Sequence, residues 1–82
     1  GETEARARLA RAAELGWTPA LIDYGQILGP SQQAEAGRLF LAAAEKNDPR
    51  GQFAYARWLR DSPAGPRDPA AAVPYLDRAA RA

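Results

Sequence analysis

The stretch that decides the fold is LAAAEKNDPRGQFAYARWL, residues 41–59, because much of the remaining chain repeats parts of it. Ala12-Ala13-Glu14 recurs as Ala43-Ala44-Glu45, a shift of 31 positions, and Ala43-Ala44 recurs as Ala79-Ala80, a shift of 36. A period in this range is typical of stacked helical hairpins. The sequence therefore predicts an all-α fold, an α-solenoid of stacked antiparallel helical hairpins with about five helices.

Signals for helix ends and starts recur with the same period. Gly16 and Asn47 both tolerate positive φ and are predicted to end helices. Three polar residues followed by proline are predicted to cap and begin helices: Thr18-Pro19, Asp48-Pro49 and Asp68-Pro69. Ser31 is predicted to cap one more helix. The predicted helices are 2–15, 19–28, 32–46, 49–60 and 69–81, with a loop at 61–67 and an expected kink at Pro74.

Apolar residues at helical spacing predict which faces pack together. The small residues among them should let helix backbones approach closely; these are Ala20, Gly25, Gly51 and Ala56. The bulky ones are expected to fill the core; these are Leu39, Phe40, Tyr55, Trp58, Tyr75 and Leu76. Ile27, Leu28 and Ala80 are also predicted to face inward, and Trp17 to form a hydrophobic staple with Ile22.

Composition narrows the possible functions. The 11 basic and 10 acidic residues leave a net charge of +1, which predicts no general attraction to nucleic acid. The chain has no Cys and no His, so it lacks the thiolate zinc ligand and the commonest general base at neutral pH. No apolar run approaches the ~20 residues that span a bilayer. We expect neither an enzyme nor a cofactor nor membrane insertion; the compartment, cytoplasmic or periplasmic, is left open.

The alternation of predicted helices and turn signals is similar to that of the Sel-1-like repeat family, relatives of the tetratricopeptide repeats. Nearly the whole chain shares its motif: Ala12 to Gly16, Ala20, Tyr24-Gly25, Ala43-Ala44-Glu45, Gly51-Gln52, Tyr55-Ala56, Asp68, Ala72, Tyr75 and Ala79-Ala80. The loops depart from it, because 29–31 lacks the glycine-rich insertion and 63–66 has Pro-Ala-Gly-Pro. The resemblance implies a scaffold or adaptor, in bacteria often within an envelope, localisation or signalling protein.

The resemblance also divides the chain into a terminal helix at 2–15, a first repeat at 17–46 and a second at 48–81. Because about two and a half units are fewer than such arrays need, and Gly1 is typical of tag removal, we expect a fragment of a longer protein.

In this family the first helix of each hairpin lines a concave surface. That comparison makes one set of residues the candidate partner-binding surface: Asp23, Gln26, Ile27, Ala54, Arg57, Trp58 and Arg60. A solvated helix face is the alternative for the polar members, and a core role is the alternative for Trp58. The predicted function is a non-catalytic module that binds a protein or peptide. A structural spacer that self-associates through its terminal helices is the alternative.

Overall fold

The computed structural model describes residues 1–82, the whole of the sequence given. It contains five α-helices and no strand: α1 (Glu2–Glu14), α2 (Thr18–Ile27), α3 (Gln33–Glu45), α4 (Pro49–Asp61) and α5 (Pro69–Arg81). A short 3-10 helix, Pro30–Gln32, precedes α3. The prediction of an all-α fold with about five helices is confirmed. None of the helices is both long and apolar enough to cross a membrane.

The helices pack in the order in which they follow one another. Each helix contacts the next in the chain, and α2 also contacts α4. The chain therefore forms two hairpins, α2–α3 and α4–α5, with α1 packed on the first of them. The two first helices of the hairpins, α2 and α4, are neighbours.

The ends of α1 and α3 repeat one backbone geometry. Gly16 has a φ of 83° and Asn47 a φ of 62°, so both occupy the left-handed region that the sequence predicts for them. The Gly16 N–H donates to the carbonyl of Ala13 at 2.9 Å, and the Asn47 N–H donates to that of Ala44 at 3.0 Å. These bonds use carbonyls that a helix end would otherwise leave without partners. The same stop geometry therefore occurs in both copies within this chain.

The helix starts follow the prediction at two of the four capped positions. The Asp48 carboxylate accepts from the N–H of Arg50 at 2.9 Å, and the Asp68 carboxylate accepts from the N–H of Ala70 at 3.0 Å. Both are side-chain N-caps. The prediction for Thr18 is wrong, because α2 begins one residue earlier than expected and Trp17 is its N-cap. Thr18 is the first helical residue, where its hydroxyl caps nothing.

Ser31 is likewise not a cap. It lies inside the 3-10 helix, in which the Gln32 N–H donates to the carbonyl of Gly29 at 2.9 Å, and α3 begins only at Gln33. The tight turn satisfies the backbone here, so no serine cap is needed. Farther along the chain, α5 continues through Pro74 to Arg81.

The core consists of three clusters placed in series along the array. Their buried residues are Ala13, Ala20, Leu21, Ile22 and Ala43 in the first, Leu28, Ala36 and Phe40 in the second, and Ala56, Leu59 and Ala72 in the third. Each cluster joins neighbouring helices, as expected of an array whose units bury apolar surface only against each other. Two predicted inward residues differ: Ile27 is 45% exposed and Ala80 is exposed. Trp17, predicted to form a staple with Ile22, is 64% exposed and does not belong to the cluster that contains Ile22.

Glycine allows the closest helix contact. A Cβ at Gly51 would lie 2.7 Å from the carbonyl carbon of Ala43, so α4 touches the backbone of α3 at this point. Gly37 similarly faces the ring of Trp58, a contact that the sequence analysis does not predict. These contacts fix how α4 lies on α3, and hence how the exposed faces of α2 and α4 adjoin.

Candidate interaction surface

The exposed sides of α2 and α4 form two adjoining depressions. The smaller, about 340 Å³, lies where α2, α3 and α4 meet, and the larger, about 700 Å³, lies between α2, α4 and α5. Both are lined by Gln26, Ala54 and Arg57. We call the two depressions together the α2–α4 groove. Five of the seven predicted residues line it: Asp23, Gln26, Ala54, Arg57 and Trp58.

Arg57 lies at the centre of the groove and has no acidic partner. It is absent from the ion pairs that engage Arg38, Arg50, Arg60 and Arg81. Its guanidinium carbon is 6.0 Å from the centroid of the Phe53 ring, which is itself 51% exposed. A cation at this distance from an aromatic face is attracted weakly at an exposed site. The groove therefore presents an unpaired guanidinium beside an exposed aromatic ring.

Trp58 is held rigidly in the wall of the smaller depression. Its indole N–H donates to the backbone carbonyl of Gln33 at 2.8 Å. Its ring stacks on Tyr55 with centroids 5.8 Å apart, and Tyr55 meets Tyr75 edge-on at 4.8 Å. Burial, with smaller contributions from Tyr75 and Glu45, raises the pKa of Tyr55 above its ordinary value. Trp58 therefore packs against the core and also lines the groove.

Gln33 is a groove residue that sequence reasoning missed. Its amide nitrogen donates to the carbonyls of Leu28 and Gly29 at 3.4 and 3.3 Å, and its amide oxygen accepts from the Ser62 hydroxyl at 3.4 Å. These bonds connect the end of α2, the start of α3 and the end of α4. No local signal marks this role, because a glutamine at the start of a helix is usually solvated.

Ile27 and Arg60 do not line the groove. The Nε and Nη2 of Arg60 donate to the two carboxylate oxygens of Asp61, each at 2.9 Å. These bonds to Asp61 raise the pKa of Arg60, and the bonds from Arg60 lower that of Asp61. Asp61, not Arg60, contributes to the smaller depression. The guanidinium of Arg60 is already paired, which leaves Arg57 as the free cation.

Phe53 and Arg50 are further lining residues outside the predicted set. The sequence does carry a signal for Phe53, because it is the counterpart of Ile22 under the shift that aligns the two Ala-Ala-Glu copies. Arg50 remains near Asp48, with Nη2 3.4 Å from the carboxylate. The larger depression therefore carries two cations, Arg50 and Arg57, and one acid, Asp23.

The groove presents aromatic side chains, an arginine outside any ion pair and amide groups. Aromatic residues and arginine are the side chains enriched at protein interfaces. No group of three or more His, Cys, Asp or Glu side chains lies close enough together to hold a metal ion. Comparisons with protein-family models, curated proteins and solved structures found no match.

Proposed function

We propose that this chain is a non-catalytic protein–protein interaction module that holds a peptide or partner domain in the α2–α4 groove. The observation that carries the proposal is Arg57, an exposed guanidinium that forms no ion pair, 6.0 Å from the Phe53 ring and in the wall that both depressions share with Gln26. An arginine in such a position offers planar, bidentate donors to a carboxylate of a partner. Gln26 adds an amide that can bond to a peptide backbone.

The internal repetition supports a wider assignment. The chain resembles Sel-1-like repeats in sequence, and it forms two helical hairpins in series with matching stop signals at Gly16 and Asn47. We propose membership of that family and a scaffold or adaptor role within a larger bacterial envelope, localisation or signalling protein. The lack of His and Cys in the chain supports the non-catalytic part of the proposal.

Site-specific photo-crosslinking tests the surface directly. A benzophenone amino acid placed at position 26 should capture the partner in cells, whereas the same group at position 34 should not. Gln26 and Ala34 are both exposed, but only Gln26 lines the groove. Equal capture from both positions, with both variants folded, would refute the groove assignment.

A structural spacer that self-associates is the second candidate. It is favoured by exposed apolar side chains near both ends of the array: Leu15 is 77%, Trp17 64% and Val73 59% exposed. Sedimentation velocity at rising concentration separates the two functions. An interaction module stays monomeric, whereas a spacer that stacks through its ends shows a rising sedimentation coefficient.

A further inference from the structure

The hairpin α4–α5 repeats part of the residue pattern of the hairpin α2–α3. For the first helices, the shift that aligns the Ala-Ala-Glu copies places Tyr55 on Tyr24 and Leu59 on Leu28. For the second helices, the shift that aligns Ala79-Ala80 with Ala43-Ala44 places Ala72 on Ala36, and each of these alanines is 1% exposed. The residues of each of these pairs are similarly buried, and a contact made by the first hairpin can be mapped onto the second.

The first hairpin receives α4 in the angle between its two helices. At Gly51 the backbone of α4 touches Ala43 and Ala44 of α3, each within 2.8 Å of where a Cβ would lie. On its other side α4 contacts α2. The helix runs antiparallel to α3, because its first turn lies at the end of α3 while Trp58 meets Gln33 near the start. The second hairpin carries counterparts of the residues of the first hairpin at this interface.

The larger depression includes the corresponding angle of the second hairpin, between α4 and α5, and α2 lines its other side. Its α5 wall consists of Leu76, Ala79 and Ala80, the counterparts of Phe40, Ala43 and Ala44 in α3. Its α4 wall includes Phe53, Ala54 and Arg57, the counterparts of Ile22, Asp23 and Gln26 in α2. The α3 residues that meet α4 in the first hairpin thus have counterparts in α5, and these line an open depression of about 700 Å³.

We propose that this depression binds an amphipathic α-helix of a partner protein, in the position and direction that α4 adopts on the first hairpin. The inference rests on the proposed function and specifies it: the partner contributes a helix, and α5 is part of the site. The site requires glycine in the first turn of the helix, where it would meet Ala79 and Ala80 as Gly51 meets Ala43 and Ala44.

One difference between the hairpins sets the selectivity. Gly37, which makes room for the Trp58 ring, is replaced by Val73 at the equivalent position. The bound helix must therefore have a small side chain seven residues after its glycine, where α4 has Trp58. A bulky side chain there would collide with Val73, as overpacking in a close contact generally does.

Charge sets a second requirement. The antiparallel direction places the first turn of the bound helix beside the last turn of α5, where Arg81 is paired with Asp77 and Arg78 forms no ion pair. The lining adds Arg57, which forms no ion pair, and Arg50, which is paired with Asp48, against the acid Asp23. Acidic residues in that first turn are therefore complementary to the site and also suit the positive end of the helix dipole.

A synthetic helical peptide tests helix binding at the larger depression without a known partner. The probe is a fluorescein-labelled peptide of residues 48–61 carrying Trp58→Ala and Arg50→Glu. Phe53→Lys and Arg57→Glu, at two positions exposed in α4, provide the lactam bridge that holds it helical. Fluorescence anisotropy measures its binding to the full chain. We expect saturable binding. Ala80→Trp should weaken this binding at least about tenfold, because the larger side chain fills the place where the helix would lie. The Ala70→Trp protein is the control, because position 70 is also exposed in α5 but does not line the groove. It should bind the peptide as wild type does.

The selectivity claim has its own comparison. The matching peptide that keeps Trp58 should bind at least about fivefold more weakly, and Val73→Gly in the protein should remove that difference. No saturable binding of the Trp58→Ala peptide, or equal binding by the Ala80→Trp and wild-type proteins, would overturn the proposal. A dimer that forms without the peptide and is lost in the Ala80→Trp protein would also overturn the proposal, since a second copy of the chain would then occupy the depression.

Failure of this inference can be distinguished from failure of the proposed function. One outcome is that binding of a captured partner depends on Arg57 and is still as strong to the Ala80→Trp protein as to wild type. In that case the partner binds in the groove, and the proposed helix-binding site at the larger depression is refuted. If Arg57→Ala leaves the affinity for the partner unchanged, the groove assignment itself fails.

Discussion

Gly51 sets the distance between α3 and α4 through the absence of a side chain. Gly51→Ala adds a methyl group 2.7 Å from the Ala43 carbonyl carbon, a contact that only backbone movement relieves. Alanine favours a helix by about 1 kcal/mol over glycine, yet we expect a net loss of about 1–3 kcal/mol because overpacking costs more. Urea unfolding measures the difference. Gly29→Ala is the control, because nothing lies within 4 Å of its Cβ position; a similar loss there would contradict the explanation.

Gln52 is a polar residue where the first repeat has an apolar one. It is 4% exposed and its amide oxygen has no hydrogen-bond partner, whereas Leu21, its counterpart in α2, packs in the first core cluster. A buried, unpaired carbonyl costs stability. We expect Gln52→Leu to raise the free energy of unfolding by about 1 kcal/mol. The exposed control Gln32→Leu should change it by less than about 0.5 kcal/mol, and a loss of stability in Gln52→Leu would show that the amide has a partner.

Some residue roles could be predicted from the sequence and others could not. The positive φ of Gly16 and Asn47 follows from local chemistry, since both residues tolerate the left-handed region at a helix end. Gly37 could not be assigned, because its role depends on the Trp58 ring in the next helix. Gln33 is similar, since its bonding partner Ser62 lies 29 residues along the chain.

At the scale of the helix, caps distinguish α4 from α2. Asp48 caps α4, while Thr18 of α2 has no capping bond. We expect Asp48→Ala to lose about 1 kcal/mol and Thr18→Ala to lose little. Urea unfolding at pH 7 measures both, and equal losses would contradict the assignment of Trp17 as the N-cap of α2.

The same cap predicts a pH dependence. Burial tends to raise the pKa of Asp48, but the N–H and guanidinium of Arg50 outweigh it and hold that pKa below the ordinary 3.8. A carboxyl whose pKa is lower in the folded state stabilises the fold above the unfolded pKa and loses this effect as the pH falls through the folded pKa. The stability difference between wild type and Asp48→Ala should therefore be constant above about pH 5 and shrink below pH 3.8. A difference that grew on acidification would contradict the cap.

The helices themselves were predictable because their signals are local: apolar spacing, proline in the first turn and glycine or asparagine after the last. Two starts were misplaced for a physical reason. Thr18 and Ser31 are both good caps, but a residue caps only if its backbone leaves the helix, and the chain turns one residue earlier at Trp17 and through a 3-10 turn at Pro30–Gln32.

At the scale of the whole molecule, the array has a small core. Only 17 of 82 residues are buried, and none of the large side chains is fully buried. Since each hairpin packs only on its neighbour, the terminal helices lack one partner. We expect the monomeric chain to melt below about 65 °C, within the range of ordinary mesophilic domains. Calorimetry combined with sedimentation measures this, and a cooperative monomeric transition above that temperature would contradict the view of two and a half units as a marginal array.

The groove was only partly predictable. The shift between the two Ala-Ala-Glu copies places Asp23, Gln26 and Ile27 on Ala54, Arg57 and Trp58, and this pattern identifies the face that α2 and α4 share. It could not show that Arg60 pairs with Asp61, nor that α5 closes one side of the larger depression. The Arg60–Asp61 pair is a contact between adjacent residues, whereas the closure by α5 depends on how the second hairpin packs, which no local pattern encodes.

The affinity of the captured partner for the Arg57→Ala protein tests the central claim most directly. Arg6→Ala is the matched control, since it removes an equally exposed arginine from α1, away from the groove. Calorimetric titration should show binding weakened at least about fivefold by Arg57→Ala, the effect of losing a charge-assisted hydrogen bond, and unchanged by Arg6→Ala. Equal affinities of the two folded variants and wild type would contradict the assignment of this chain as a module that binds its partner through the α2–α4 groove.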